Sequence, residues 1–354
     1  MKTKNLLTMI AIAVSMASLS QAQTLTEFKP KDASYGVKKA KGAKKIFISY
    51  FSVNYQIYNE KQKFKQGGST LGGGMKGDAK AEASVGLEGL SDTDVQIITD
   101  KLYADYIAKI KSSGLQIITA EEAAKTETYS DYEIVTGGKV SLAQLPGVMA
   151  TAPSEYKYFV KKIAKSGKEK SGGFLGNAQF LYPKLSKELD DAIIAKVDIN
   201  VLFVEDKNAF QGNGVNIKIK TNLRLAANDV IMMTDDSKSL IKMKGQNTID
   251  VVNSTVSFYH GKMGMGSTTS YVGTLGKPLY IQGVVADEKV QSFASGGISQ
   301  GVSTMYGTYF SVRNSSSKAT KVIPVNAKKF QDGVYMAASK FIDFHTSEFL
   351  NALK

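Results

Sequence analysis

Cysteine is absent from this 354-residue chain. That removes disulfides, thiolate nucleophiles and cysteine metal sites in one step. Histidine is nearly absent, with only His260 and His345. A zinc site would need carboxylates to complete a ligand set whose usual spacings are missing, so both imidazoles are expected to be isolated structural or surface groups and no metal is assigned. Arginine is reduced to Arg224 and Arg313, and the formal charge of +13 rests on lysine. Lysine is a mobile point charge, whereas arginine's planar fork suits phosphate and guanine. The composition therefore argues against nucleic-acid binding. It fits a lysine-rich solvated surface, with attraction to anionic envelope surfaces as its functional use. Beyond the N-terminal segment no stretch is long and apolar enough for a spanning helix, so no transmembrane helix is expected.

That N-terminal segment reads as a signal peptide over residues 1–22. Lys2 and Lys4 form its positive start, Leu6 to Ala17 its apolar core, and Ser20-Gln21-Ala22 a small-x-small cleavage site. The mature chain is expected to begin at Gln23 and to work in the periplasm or at the outer membrane of a Gram-negative bacterium, with secretion as the alternative. No cysteine follows the cleavage site, which excludes a bacterial lipid anchor.

The best-specified stretch is Ser91 to Thr119. Ser91 caps a helix with Asp94 three residues on, a shortened capping box. Val95, Ile98, Leu102, Tyr106 and Ile110 recur at helical spacing, and Tyr103 and Ile107 widen the stripe. Gly114 supplies a left-handed stop, and Leu115–Thr119 follows as a short buried strand. The run Ile46 to Tyr58 offers a strand to pair with it, with Phe47, Phe51, Val53, Tyr55 and Ile57 on one face. Thr24 to Lys45 is polar, carries the basic run Lys38 to Lys45, and reads as an extended arm.

Further along, Thr119 and Glu122 repeat the capping box and open a short helix through Ala124. A second helix is expected from Pro183, with Leu185, Leu189 and Ile193 on one face, followed by the strand Val197–Val204. From Val215 the rhythm becomes that of an antiparallel sheet. Strands are expected at Val215–Leu225, Val230–Met233, Leu240–Met243, Ile249–Tyr259 and Leu279–Val285. A closing helix spans Ala327–Leu350, with Phe330, Val334, Ala337, Phe341 and Phe344 towards the core and Phe349 towards one edge.

Two glycine-rich excursions interrupt this plan, near 60–90 and 290–312. In the first, Ala79, Ala81, Ala83, Val85 and Leu87 alternate with Lys80, Glu82, Ser84, Gly86 and Glu88, a period of two. In the second, Val290, Ile298, Val302, Tyr306 and Phe310 share one register. Both read as β-hairpins whose apolar side something covers: the bulk of the chain, each other, or a partner. The expected class is α+β, in one domain over 23–354. It comprises a mixed sheet packed with two to three helices, then an antiparallel meander and a C-terminal helix.

Motifs for chemistry are sparse. Gly297-Ile298-Ser299-Gln300-Gly301 matches the nucleophile-elbow pattern, with Asp343 and His345 following in hydrolase order. Its flanks lack the strand and helix an elbow needs, and Asp343 and His345 point to different sides of a helix. No phosphate-loop or dinucleotide fingerprint occurs. Asp190-Asp191, expected on a helix, and Asp235-Asp236, expected in a turn, lack calcium-loop spacing. Asn253-Ser254-Thr255 and Asn314-Ser315-Ser316 are glycosylation sequons, meaningful in a eukaryotic secretory route. No catalytic residue and no cofactor are assigned.

The order of strand, helix and strand over Ile46–Val53, Asp92–Ser113 and Leu115–Thr119, then a short helix and a later helix-strand, resembles one known layout. It is similar to the exported α/β domains of the CsgG and TolB N-terminal type, found in bacterial envelope machines. Those domains end in a C-terminal helix packed on the sheet, and the CsgG branch extends glycine-rich hairpins into a membrane barrel. CsgG-type proteins are lipoproteins, and this chain has no cysteine to acylate. The resemblance implies a non-catalytic envelope protein that binds or assembles with partners. The alternatives are a secreted hydrolase using Ser299 and a self-assembling outer-membrane pore built from the hairpins.

Overall fold

The apolar run at Ile46 becomes the centre of the fold. A computed structural model describes residues 23–69, 75–141, 147–163, 169–170, 178–205, 215–234, 247–264, 266–295, 297–298, 302–305, 307–309 and 312–354. Residues 1–22, Gly72–Gly74, Gly212–Gly214, Asp235-Asp236, the segment Leu240–Met243 expected as a strand, and Ser299 lie outside the described residues.

In chain order the principal elements start with β1 (Thr24–Leu25), β2 (Pro30–Tyr35), β3 (Lys45–Gln56), β4 (Tyr58–Lys65) and β5 (Ala79–Glu88). Next come α1 (Asp92–Ser112), β6 (Gln116–Ile117), α2 (Ala120–Ala123), β7 (Val148–Thr151), α3 (Ala178–Glu188) and β8 (Ile193–Glu205). The second half holds β9 (Val215–Leu225), β10 (Asp229–Thr234), β11 (Asn247–Val252), β12 (Thr255–His260), β13 (Thr269–Leu275) and β14 (Leu279–Gln282). It closes with β15 (Lys289–Ala294), β16 (Ser315–Pro324) and α4 (Ala327–Ala352). The chain is thus a mixed α and β protein.

An 11-stranded sheet organises it. β3 and β8 pair in parallel from Ile46↔Ile193 to Tyr55↔Val201. β6 runs parallel to β3 on its other side, which completes the β-α-β unit around α1. Beyond β8 the sheet forks. One branch continues through β12, β13 and β2, the other through β9, β14 and β1, with β15 on the free length of β9. The N-terminal arm is therefore woven into both branches rather than leading loosely to the first strand.

One face of the sheet carries the main core. α1 lays Val95, Ile98, Leu102, Tyr106 and Ile110 against it, and both capping boxes form as the sequence predicts. α4 packs beside α1 with Phe330, Val334, Ala337, Phe341 and Phe349 buried. Phe349 stacks on Phe258 at 4.1 Å, while Phe344 is only half-buried and meets Phe28 edge-on. Their roles are exchanged relative to the expectation because four-residue steps from Phe341 through His345 to Phe349 hold the inward direction.

The first excursion packs on the same face. β4 and β5 form a hairpin whose tip pairs Gly68–Ser69 with Met75–Lys76. β16, which the sequence reading missed, adds to β5 in parallel from Ser315↔Ala79 to Pro324↔Glu88. Ala79, Ala81, Ala83 and Val85 face the main sheet and are buried with Ile217, Ile219 and Val290. Small side chains let the two sheets approach closely. The cover for the alternating face is thus the chain itself.

Four further departures have local causes. A bulge at Ser49, whose hydroxyl donates to Ala195 O at 2.9 Å, reverses the pleat, so Phe47 faces away from Phe51, Val53 and Tyr55. α3 begins five residues before Pro183 and contains it, and Ile193 opens β8 instead of closing the helix stripe. Asp190 and Asp191 lie in the left-handed turn after α3, with φ of 57° and 55°. Ile249–Tyr259 is two strands, because Asn253 and Ser254 turn the chain between β11 and β12.

Leu102→Ala is expected to cost about 2–5 kcal/mol of stability in denaturant titration, while Ile97→Ala, half-exposed on the same helix, stays within about 0.5 kcal/mol. Equal losses at the two positions would contradict the packing described.

Candidate functional site

The residues singled out for chemistry are held apart. His345 is buried on α4, accepting from Tyr271 Oη through Nδ1 at 2.8 Å and donating from Nε2 to Thr274 O at 3.0 Å. Its ring fits only because residue 273 lacks a side chain: a Cβ there would lie 2.3 Å from it. Burial holds its pKa below the ordinary 6.5. Asp343 points outward and pairs with Lys109 of α1, so the two residues do not form an acid–base pair. His260, at the end of β12, is also lowered by burial, against an opposing pull from Asp191. Among the described residues no three His, Asp or Glu side chains gather to hold an ion. The sequon residue Asn314 accepts from Asp78 N at 3.0 Å and ties the two excursions together.

The second face of the sheet is covered at both ends. At one end α2 and α3 bury Phe47 and Ile194 with Leu185, Leu189 and Tyr129. At the other, the β10–β11 pair covers Leu202 and Ala226 with Ile231. Between them β3, β8 and β12 present polar side chains in register: Tyr50–Lys196–Ser257, Ser52–Asp198–Thr255 and Asn54–Asn200. Asp198 accepts from Asn54 Nδ2 at 2.9 Å and lies 3.3 Å from Lys196 Nζ. Asn54 Oδ1 accepts from Ser52, and Asn200 Nδ2 donates to Asn253 O at 2.9 Å. Burial pulls the Lys196 ammonium down, but Asp198 and the nearby tyrosines outweigh it and hold its pKa above the ordinary value. A lysine kept charged in this way is no proton acceptor near neutral pH. The hydrogen bonds are spent inside the network, which suits a rigid floor better than a reacting centre.

An open feature lies on one branch of the sheet. A groove of about 820 Å³ runs along β9, β14 and β1, walled by Asn222, Tyr280, Gln282, Thr24 and Thr26 and flanked by Lys220 and Lys329. The turn Gly283–Asp287 closes one side, with Gly283 at φ 78°. Lys220 pairs with Asp287 at 3.3 Å. Behind the wall sits Arg224, whose side chain is 1% exposed. It donates to Asp229 Oδ1 at 3.0 and 2.8 Å, to Asn222 Oδ1 at 2.8 Å and to Val204 O at 2.8 Å. Asn222 in turn donates to Glu205 at 2.9 Å, and Glu205 also accepts from Tyr280 Oη at 3.4 Å. Burial and the Glu205 charge raise the Tyr280 pKa. The wall is therefore positioned by a buried ion pair. The alternation of the strand reads Asn222 and Arg224 as facing water with Lys218 and Lys220, but both are buried, because their polar groups are satisfied by Asp229, Glu205 and Val204 O.

Two outcomes follow. Asp229→Ala strands the buried guanidinium and is expected to cost about 3–5 kcal/mol in denaturant titration, with the groove wall loosened. An effect below 1 kcal/mol would show that Arg224 reaches water. The second concerns pH. With the folded pKa of His345 below 6.5, the unfolded chain takes up the proton more readily. This contribution is complete above pH 6.5 and drains away as pH falls through the lowered folded value. His345→Gln should therefore show a shallower loss of stability on acidification than the parent; identical slopes would refute it.

In comparisons with known proteins the chain matches no family model, no curated sequence and no solved structure.

Proposed function

We propose that this chain is an exported cell-envelope protein that binds or assembles with partners and carries no catalytic activity. The observation that carries this reading is the open groove along β9, β14 and β1, whose volume of about 820 Å³ is that of a ligand or chain-segment site. Its lining combines hydroxyls, amides and lysines with the apolar Leu223, Ile281, Val284, Val285 and Pro324, which suits recognition rather than turnover. The hydrolase alternative loses support from the outward Asp343 and from His345, both of whose nitrogens are engaged. Arg224 is committed to Asp229, which leaves its guanidinium unavailable to an outside phosphate. The finer fold reading is α+β: a mixed sheet with its helices, an antiparallel meander and a C-terminal helix. That layout and the paired hairpins support the likeness to CsgG- and TolB-type envelope domains. The buried alanine face weighs against a pore, since the hairpin has little apolar surface left for lipid.

The test is fractionation with site-specific photocrosslinking in cells. The protein should appear in the envelope fraction, and a crosslinker at Gln282 should give adducts that one at Lys111 does not. Recovery from the cytoplasm, or equal yields at both positions, would overturn the proposal.

A further inference from the structure

We propose that the turn at Gly36–Lys44 and the neighbouring loop at Gly261–Gly264 form one docking patch for an anionic lipid surface bearing phosphate headgroups. The inference deepens the envelope reading and rests on it. It starts from charge. Lys38, Lys39, Lys41 and Lys44 are exposed within seven residues, on and after a short 3-10 turn at Val37–Ala40. None has an acidic partner among the described residues; only Lys45, the last of the run, is taken, by Asp190 at 2.8 Å.

The fold then adds what the run lacks. Gly36 adopts φ 62° and sits so close to the loop that a Cβ would lie 2.3 Å from Thr268 O. Thr269 Oγ1 donates to Gly36 O at 2.9 Å, and Tyr35 Oη donates to Ser267 O at 2.6 Å. Two segments more than two hundred residues apart therefore share one rim. The loop contributes a fifth exposed and unpaired lysine, Lys262, and beside it Met263, 60% exposed. Tyr35 stands 52% exposed on the same rim. Asp32 on β2 accepts from Ser34 at 2.8 Å, and Asp191 faces Lys187 and His260.

Lysines around an exposed methionine and tyrosine are the composition of an interfacial anchor. The cations meet the headgroups while the apolar side chains enter the boundary between headgroup and acyl chain. Clusters of four to eight basic residues are what anionic leaflets attract, at about fivefold in affinity per lysine. Lysine point charges without arginine forks suit a fluid layer of phosphates better than a fixed nucleic-acid lattice.

The experiment is co-sedimentation of the mature protein with phosphatidylcholine vesicles, with or without phosphatidylglycerol, at low and high salt. The parent is expected to bind only the anionic vesicles. K38Q/K39Q/K41Q/K44Q should weaken binding by several hundredfold, on the order of fivefold for each lysine. Met263→Ser should lower the fraction that survives high salt. K218Q/K289Q, on an exposed sheet face elsewhere, should stay within about twofold, and thermal melts of all variants should superimpose. Full binding by the quadruple variant, equal loss in the K218Q/K289Q control, or tighter binding to an RNA duplex than to vesicles would each overturn the patch. Failure of the export reading shows separately, as cytoplasmic protein in cell fractions, and leaves the vesicle result unchanged.

Discussion

The parallel pairing of β3 with β8 is the contact on which the rest of the structure depends. Nine register pairs join two strands that lie far apart in the chain, one before and one after α1 and α3. Parallel strands need covers on both faces, since both are removed from water. The first face obtains a large cover from α1, α4 and the β4–β5–β16 sheet. The second obtains two smaller covers at its ends, and the polar rows of Tyr50–Lys196–Ser257 and Ser52–Asp198–Thr255 occupy the gap. Polar side chains at the centre of a sheet are stable only when their hydrogen bonds close on one another, as those of Asn54 and Asp198 do.

The fork beyond β8 follows from strand length. β8 is thirteen residues long, and its two halves pair with different antiparallel partners, β12 and β9. The groove lies along the β9–β14–β1 branch, and the buried Arg224–Asp229 pair keeps its wall in place. A buried ion pair adds little net stability against an apolar substitute, but it fixes geometry because either partner alone is costly. The groove and the basic rim at Gly36–Lys44 lie on different branches of the sheet.

Much of the plan is determined by the sequence alone, because it depends on contacts within a few residues. The helix Asp92–Ser112 with its capping box, the stop at Gly114, the second box at Thr119 and Glu122, and the alternation through β9 are all local effects. So was the conclusion that the alanine face of β5 must be covered. Elements whose apolar signal is weak were lost: β16 reads Ser-Ser-Ser-Lys-Ala-Thr, and β1 and β2 read as a polar arm. Their edges are satisfied by backbone pairing, which leaves no pattern in side chains.

Tertiary structure alone decided what covers what, and where polar groups meet. A one-residue bulge at Ser49 sends Phe47 to the opposite core, and no periodicity announces it. Gly273 is required by a histidine seventy-two residues later. The wall of the groove joins Thr26 to Tyr280, and the basic rim joins Tyr35 to Ser267. Side-chain pattern encodes which face of an element is apolar; the partner is chosen by chain topology and close packing, which act over the whole molecule at once.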